Sequence, residues 1–351
     1  MIEIEIQGRK IGDGYPVFFI AEAGVNHNGS LELALQLVSV AAEAGADAVK
    51  FQTFNADSLN TRTAPKSSYH VETTGTDEMQ SWYELLKTQE LSREMHIELK
   101  EYCLKKKIIF LSTPYDHESA DLLEELGIPA FKTASTDTNN IPLLKYLARK
   151  GRPMIISTAM ATMQEVEYAV DAVRGEGLDE IVVLQCTGNY PARLEDSNLR
   201  VMETYRRQLN CLVGFSDHVS EMINPIAATA FGACVYEKHF TVDKELPGPD
   251  HRMSLDSKEL KDTIKAIRLT EKALGRSEKI VLDSEKENRV KLRKSLVAAV
   301  NIPKGTRITD DMIAVKRPGN GIPPSELENI LHRESKMDIH SDSHLKESMF
   351  I

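Results

Sequence analysis

Residues 17–54, VFFIAEAGVNHNGSLELALQLVSVAAEAGADAVKFQTF, decide the fold because they contain one complete strand–helix–strand unit. The apolar runs at 17–23 and 48–54 have the length and composition of buried strands. Between them, residues 30–44 space their apolar side chains as an amphipathic helix does. A buried strand, a helix and a second buried strand in succession are typical of a parallel sheet covered by helices.

The same alternation continues along the chain, with further helical patterns such as residues 92–106. The complete set of predicted strands is 17–23, 48–54, 108–112, 130–133, 153–157, 181–186, 212–216 and 234–239. Eight strand–helix units in roughly 260 residues predict an α/β fold of the (β/α)8 TIM-barrel type. A doubly wound open sheet is the alternative, although it usually contains fewer repeats.

The sequence changes character after the barrel. Residues 257–294 are strongly charged and helical in pattern, which predicts the last barrel helix followed by a linker. The tail is β-like and has turn signals at 303–305 and 318–321, so we expect a small β-rich domain there. The predicted organisation is a barrel domain at 1–275, a linker at 276–294 and a small domain at 295–351.

The tail also contains a weak internal repeat with an offset of 37 positions. Its two copies are Asn301, Ile302, Ile308 and Met312, then Asp338, Ile339, Leu345 and Met349. We interpret them as two related halves of one small domain.

Composition excludes several classes of partner. The net charge is -10, from 43 Lys+Arg and 53 Asp+Glu, which argues against nucleic acid or an anionic membrane surface. The first twelve residues are polar and alternating, unlike a signal peptide, and no run of about 18 apolar residues could span a membrane. The scattered cysteines form no CxxC pair and predict reduced thiols in a cytoplasmic protein. They are Cys103, Cys186, Cys211 and Cys234.

Active sites of TIM barrels lie at the carboxyl ends of the strands, and nearly every predicted strand here ends in polar residues. Lys50 and Lys132 can point into the same mouth, where they repel each other unless an anion lies between them. Neighbouring hydroxyls complete a set of donors suited to a phosphate or carboxylate. These hydroxyls belong to Thr113, Ser135, Ser157 and Ser216.

Two histidines indicate a metal site at the same end of the barrel. His218 and His239 end neighbouring strands, where two neutral imidazoles can share a divalent ion and leave positions open for substrate and water. Glu22 ends the first strand, and a carboxylate there is costly unless it is paired with a lysine or used in catalysis. We expect His27 to hydrogen-bond to loop backbone instead. The long polar connection at 55–80 has the character of an active-site lid.

Ten motifs, taken in order along nearly the whole chain, resemble the bacterial sialic acid synthase family. The tail resembles the antifreeze-like (SAF, β-clip) domain that ends such enzymes. The motifs are AEAGVNHNG (21–29), VKFQTF (49–54), FLSTP (110–114), FKTAS (131–135), IISTAM (155–160), CTGNYP (186–191), GFSDH (214–218), EKHFT (237–241), PGPDH (247–251) and KRPGNG (316–321).

This resemblance implies a reaction in which phosphoenolpyruvate, an N-acetylmannosamine-type sugar and water give a sialic acid and phosphate. It implies Mn2+, or another divalent cation such as Mg2+ or Co2+, and a domain-swapped homodimer in which each tail covers the partner's barrel mouth. By motif, His218 and His239 would hold the metal and Glu22 would be the catalytic carboxylate. The implied phosphoenolpyruvate ligands are Lys50, Thr113, Lys132, Ser135, Ser157 and Ser216. The implied sugar ligands are Gln52, Tyr190, Asp250 and, from the partner subunit, Arg317.

The sequence departs from the family pattern in two places. Many members carry a phosphate-binding Asn directly after the Thr of the CTGNYP motif, whereas this chain has Gly188 and then Asn189, so the role of Asn189 is left open. Residues 340–344 read HSDSH where a Lys-Gly turn is common, and we expect a looser last hairpin.

The acceptor sugar is open at this point. Residues 64–91 resemble legionaminic acid synthases, which take 2,4-diacetamido-2,4,6-trideoxymannose, while members that take N-acetylmannosamine share many of the same motifs. The products would be legionaminate and N-acetylneuraminate, respectively. One alternative is another phosphoenolpyruvate-dependent aldose synthase, of the pseudaminate type or with a phosphorylated acceptor. The other is a non-enzymatic glycan- or ice-binding protein, which would leave the polar strand ends without a purpose.

Overall fold

A computed structural model describes residues 2–66, 68–74 and 81–351. The chain divides into two compact units, one ending at Gly275 and the other comprising Arg276–Ile351. Each unit is built around its own apolar core.

The first unit is a ring of eight parallel strands preceded by an antiparallel hairpin. The hairpin consists of β1 (Glu3–Ile6) and β2 (Arg9–Gly12). The parallel strands are β3 (Phe18–Gly24), β4 (Ala48–Thr53), β5 (Ile109–Pro114), β6 (Phe131–Thr133), β7 (Met154–Ser157), β8 (Ile181–Cys186), β9 (Leu212–Asp217) and β10 (Val235–His239).

The hydrogen-bonded order of the parallel strands is β5-β4-β3-β10-β9-β8-β7-β6. The first parallel strand therefore pairs with the last, as a barrel requires, and β5 and β6 lie side by side at the remaining seam. The predicted TIM barrel is confirmed with all eight predicted strands, and the doubly wound alternative is wrong.

Helices surround the ring, and shorter helices lie within the loops. Those of the first unit are α1 (Leu31–Ala44), α2 (Ala56–Leu59), α3 (Ser68–Thr74), α4 (Trp82–Lys87), α5 (Arg93–Lys106), α6 (His117–Glu125), α7 (Ile141–Ala148), α8 (Met163–Arg174), α9 (Val201–Leu209), α10 (Asn224–Ala230) and α11 (Ser257–Leu274). None of the helices among the described residues is long and apolar enough to cross a membrane.

Local sequence explains why the first helix has these limits. The Ser30 side chain accepts a hydrogen bond from the Leu33 amide and caps the start of α1. Gly45 ends the helix with φ +87°, a conformation that a residue without a Cβ adopts freely. Between these caps, Leu37, Val38 and their neighbours form one buried stripe against the sheet.

The polar connection predicted at 55–80 is partly helical, since α2 and α3 lie within it; residue 67 and residues 75–80 fall outside the described part of the chain. The hydroxyl of Thr73 donates to the carbonyl of Pro249 (3.4 Å), and Arg252 pairs with Glu72 (3.2 Å). These contacts place α3 against the loop that follows β10. The connection therefore borders the carboxyl-terminal mouth of the barrel.

The second unit contains α12 (Lys286–Leu292), β11 (Ser295–Ala298), β12 (Ile313–Lys316) and α13 (Leu327–Ile330). The two strands pair antiparallel. The helix α12 lies in the predicted linker, and all of its side chains are exposed. The core of this unit consists of Leu296, Ala298, Ile302, Ile308, Ile322, Ile330, Ile339, Leu345 and Phe350.

The repeat in the sequence corresponds to an approximate two-fold symmetry of this unit. Ile302 and Ile339 face each other and exchange two backbone hydrogen bonds of 2.8 Å. The Asn301 side chain accepts from the amide of Ser341 (2.8 Å), and Asp338 accepts from the amide of Lys304 (2.7 Å). Because each contact recurs at an offset of 37, the repeat describes two halves of one core.

The expected loosening at residues 340–344 is wrong. Asp342 occupies the position equivalent to Gly305, with φ values of +67° and +82°. The Asp342 amide donates to the Ala298 carbonyl over 2.8 Å, as the Gly305 amide donates to the Ser335 carbonyl. Asp tolerates this left-handed conformation better than most residues with a Cβ, so the turn keeps its geometry.

The two equivalent turns should respond differently to substitution. Gly305→Ala should lower the free energy of unfolding by about 1–2 kcal/mol, because it places a Cβ in the left-handed region. In Asp342→Gly, relief of that strain offsets the loss of an exposed ion pair with Lys316, so we expect a change below about 1 kcal/mol. Denaturant unfolding with hydrogen exchange over residues 295–351 measures both. Equal destabilisation by both substitutions would contradict the equivalence of the turns.

Candidate active site

A cavity of about 400 Å³ opens at the carboxyl ends of the barrel strands. The predicted site residues of the barrel line it, except for Asp250. They are Glu22, Lys50, Gln52, Thr113, Lys132, Ser135, Ser157, Tyr190, Ser216, His218 and His239. The structure therefore gathers residues from all eight parallel strands, or from the loops directly after them, into one site.

Four buried charges form the floor of this cavity. The ammonium of Lys50 lies 2.5 Å from Glu22 Oε2 and 3.8 Å from Glu237 Oε2. The ammonium of Lys132 lies 3.3 Å from Glu237 Oε1. The two lysines were expected to repel each other unless an anion lies between them, and the Glu237 carboxylate, which lies near both ammonium groups, is such an anion.

Strand register brings these groups together. In the parallel ladders Glu22 is level with Lys50 on one neighbouring strand and with His239 on the other. Glu237 is level with Ser216 on the adjacent strand. Since alternate residues of a strand point to the same side, Glu237 and His239 both face the mouth.

Hydroxyl groups orient the charged side chains. Lys50 donates to Thr113 Oγ1 (3.0 Å), and Lys132 donates to Ser157 Oγ (2.7 Å). Ser216 donates to Glu237 Oε1 (2.9 Å). Because Thr113 and Ser157 accept hydrogen bonds from the lysines, their own O–H protons remain available to donate to a ligand.

The two glutamates titrate differently. Burial raises the pKa of Glu22 to about 7, although Lys50 opposes this shift. Burial acts on Glu237 in the same direction, but Lys132 and Lys50 together hold the pKa of Glu237 below its ordinary value. Environments that separate the pKa values of two carboxyl groups are typical of acid–base sites, so Glu22 is suited to exchange a proton near neutral pH.

The histidine pair has the donor set of a metal site. The ring centres of His218 and His239 are 5.4 Å apart. His218 Nδ1 lies 2.7 Å from the Thr187 carbonyl, which we assign as a hydrogen bond that leaves Nε2 with its lone pair. Burial lowers the pKa of His239 well below its ordinary value, and its Nδ1 is buried without a hydrogen-bond partner. Both rings therefore suit a divalent cation.

Other protein ligands for such an ion are scarce. No group of three or more His, Cys, Asp or Glu residues in the described part of the chain has the arrangement of a metal site. Asp250 Oδ2 approaches His239 Nδ1 only to 3.8 Å, and burial raises the pKa of Asp250 to about 6. An ion held by two imidazoles would thus take further ligands from substrate or water.

The predicted sugar ligands are distributed unevenly. Gln52 and Tyr190 line the cavity, and the Tyr190 ring packs 4.2 Å from the ring centre of His218. Asp250 lies just behind His239. Arg317 belongs to the second unit, where it follows β12 and is exposed.

Several residues of the cavity were missed as site residues by sequence reasoning. Glu237 was visible at a strand end, and the need to neutralise two facing lysines could have identified it. His70 comes from α3, where its ring stacks on Trp82 at 4.1 Å, and nothing in the sequence of the connection indicated this position. Tyr115 and Met160 also line the cavity, each shortly after a strand.

The structure also shows where Asn189 and His27 lie. Asn189 lines the cavity, and a Cβ at Gly188 would lie 2.9 Å from Met160 Cγ, so this loop passes close to its neighbour. His27 accepts a hydrogen bond from the Gly29 amide (3.0 Å), which confirms its predicted structural role.

Comparisons with known proteins identify the family of each unit. The NeuB family model matches residues 37–279, and the SAF domain model matches residues 293–351. The N,N'-diacetyllegionaminic acid synthase of Legionella pneumophila is 44% identical over 332 residues, covering 93% of each chain. Human N-acetylneuraminate-9-phosphate synthase is 36% identical, over 99% of this chain and 97% of its own.

A solved structure shows the same fold. The N-acetylneuraminic acid synthetase of Leptospira borgpetersenii, in complex with citrate, aligns with a TM-score of 0.72 at 35% sequence identity. The alignment covers 82% of this chain and 95% of that one.

The Glu22 carboxyl should titrate near pH 7, and Lys50→Met should move its pKa higher, because Lys50 favours the charged form. Carboxyl ¹³C NMR of glutamate-labelled protein, with Glu22→Gln to assign the signal, measures this. Since the pKa of Glu22 in the folded protein lies above its ordinary value of 4.5, Glu22 contributes stability that is complete below about pH 4.5 and is lost as the pH rises through about 7. The stability of Glu22→Gln relative to wild type should therefore rise across that window. A Glu22 signal that titrates near pH 4 would contradict the assignment.

Proposed function

We infer that this chain, which belongs to the NeuB family and ends in a SAF domain, condenses phosphoenolpyruvate with an N-acetylmannosamine-type sugar and water to give a sialic acid and phosphate. One observation carries the inference. The cavity combines two buried lysines, donor hydroxyls and a carboxyl group of raised pKa beside a pair of imidazoles.

The lysine side of the cavity is proposed to bind phosphoenolpyruvate. Its phosphate and carboxylate require charge-assisted donors, which Lys50 and Lys132 supply together with the hydroxyls of Thr113 and Ser157. Ser135 and Ser216 lie in the same cavity and complete the proposed set. Glu237 contacts both ammonium groups and favours their charged forms before the ligand arrives.

The histidine side of the cavity is proposed to receive the sugar aldehyde. A divalent cation such as Mn2+, held by His218 and His239, would polarise the aldehyde oxygen. Gln52, Tyr190 and Asp250 surround this side and are proposed to orient the sugar. The two substrates would then meet between the lysines and the imidazoles.

Bond formation follows from this arrangement. The methylene carbon of phosphoenolpyruvate attacks the aldehyde carbon, and carbon two of the donor becomes electron-poor. Water adds to carbon two, and the resulting tetrahedral intermediate loses phosphate to leave a 2-keto acid. Glu22 is proposed to stabilise the positive charge at carbon two and to take the proton from water, which its pKa of about 7 permits.

The preferred acceptor is the 2,4-diacetamido sugar. The strong similarity to the Legionella pneumophila enzyme supports this choice over N-acetylmannosamine. The human relative is named for a 9-phosphate product, but the only Lys and Arg side chains that line the described cavity are Lys50 and Lys132, both of which are proposed to bind phosphoenolpyruvate. A second phosphate would lack a basic partner there.

The non-enzymatic alternative is unsupported, because these relatives are named as synthases over nearly their whole length.

The first test of this function is phosphate release from phosphoenolpyruvate in the presence of Mn2+ and each acceptor in turn. We expect turnover with both, and a higher kcat/KM with the 2,4-diacetamido sugar. Lys132→Met should weaken phosphoenolpyruvate binding far more than acceptor binding, because it removes a charge-assisted contact. Lys150→Met is the control, since Lys150 pairs with Asp121 and Glu124 and does not line the cavity.

Absence of phosphate release with either acceptor would contradict the proposed reaction. Equal losses for both substrates in Lys132→Met would place Lys132 in a structural role.

The second test concerns a composite site. We propose that the protein is a domain-swapped homodimer in which Arg317 reaches the acceptor in the partner's barrel, where its planar fork of donors suits an acyl oxygen. Mixing inactive Glu22→Ala and Arg317→Ala chains should then restore about a quarter of wild-type activity. Half the chains enter mixed dimers, and each mixed dimer has one intact site. If activity does not recover although the subunits have been shown to exchange, Arg317 does not act in the partner's site and the composite site is refuted.

A further inference from the structure

A buried ion pair lies on the outer side of two adjacent barrel strands. Lys238 Nζ is 2.8 Å from Asp217 Oδ2, and the residues are 4% and 1% exposed, respectively. Neither residue lines the active-site cavity. Strand positions that face the surrounding helices are normally apolar, so a charged pair here requires an explanation.

Neighbouring groups make several further hydrogen bonds to the pair. Asp217 Oδ2 also accepts from the Tyr236 hydroxyl (2.6 Å). Its Oδ1 accepts from the Val219 amide and from Asn224 Nδ2, both at 3.0 Å. Lys238 additionally donates to the Val219 carbonyl. The backbone of Val219, the residue after His218, is therefore held at both its amide and its carbonyl.

Stability alone does not account for this arrangement. Removing two charges from water is costly, and well-packed apolar residues often replace a buried ion pair without loss of stability. What the charged pair provides is a defined geometry, since several directional bonds converge on one carboxylate.

The ion pair lies next to the two histidines in the sequence and in the sheet. Asp217 directly precedes His218 and Lys238 directly precedes His239, and in the ladder Lys238 is level with Asp217. Along each strand the charged side chain points outward and the following imidazole reaches the mouth. The ion pair thus joins the two strand ends that carry the imidazoles.

We propose that Asp217 and Lys238 are positioning residues that hold His218 and His239 at the separation needed to bind one divalent cation. This inference rests on the metal site proposed above and adds residues that contact neither the ion nor the substrates. The Tyr236 hydroxyl and the Asn224 amide support Asp217 in this role.

The test is the Mn2+ affinity of Asp217→Asn/Lys238→Met, measured by electron paramagnetic resonance without substrates. The substitutions keep nearly the same volume, and an Asn can still accept from the Val219 amide, so the protein should fold. Loss of the link between the strands should weaken Mn2+ binding about 10–100-fold, the range typical when groups behind metal ligands are removed. The affinity for phosphoenolpyruvate in the absence of metal should change little.

A matched control removes an ion pair from the opposite end of the barrel. Arg268 contacts Asp47 at 2.8 Å, and Asp47 accepts from the amide of Phe19 near the start of β3. Asp47→Asn/Arg268→Met should leave Mn2+ affinity unchanged. An equal loss in this control would mean that the effect is general destabilisation, and it would overturn the inference.

Two further variants separate the possible failures. Unchanged Mn2+ affinity in His218→Ala would overturn the proposed metal site itself. Loss of Mn2+ binding in His218→Ala together with full affinity in the folded double variant would overturn only the positioning role. If the double variant does not fold, Tyr236→Phe decides, because it removes a single donor to Asp217. We expect a smaller loss of Mn2+ affinity there, and unchanged affinity would refute the inference.

Discussion

The architecture of the site depends on burying two ammonium groups and two carboxylates in the mouth of one barrel. Lys50, Lys132, Glu22 and Glu237 are almost completely removed from water, and none could remain charged there alone. Their mutual pairing fixes the directions of the strand ends and of the hydroxyls that surround them. The cavity is consequently preorganised for anions before any ligand is present.

The alternation of strand residues lets two adjacent strands serve two purposes. On β9 and β10, Ser216 and Glu237 point inward to the charged floor, while Asp217 and Lys238 point outward to the helices. A parallel sheet whose outer positions are usually apolar thus carries a second polar layer behind the site. Short motifs such as GFSDH and EKHFT combine both layers within five residues.

The strands and most of the site could be predicted because they follow from local rules. Apolar runs of strand length specified the barrel, and polar residues at their ends specified the mouth, as Lys50 and Lys132 illustrate. Glu237 was missed because its contacts with lysines on two other strands follow from the assembled barrel, although its place at a strand end was visible in the sequence. His70 was missed for a different reason, since its position depends on how an irregular connection folds over the mouth. The turn at Asp342 was misjudged because a residue other than glycine can occupy the left-handed region when the surrounding hydrogen bonds are kept.

The charged floor of the cavity also connects strands on both sides of the barrel seam. The hydrogen-bonded order of strands begins at β5 and ends at β6, while Lys50 and Lys132 stand on β4 and β6, on opposite sides of that seam. Glu237 on β10 contacts both ammonium groups across the interior. The carboxylate therefore links side chains from the two halves of the ring that no backbone pairing joins at the seam. A substitution of Glu237 would therefore alter the charge of the mouth and remove a contact across it at the same time.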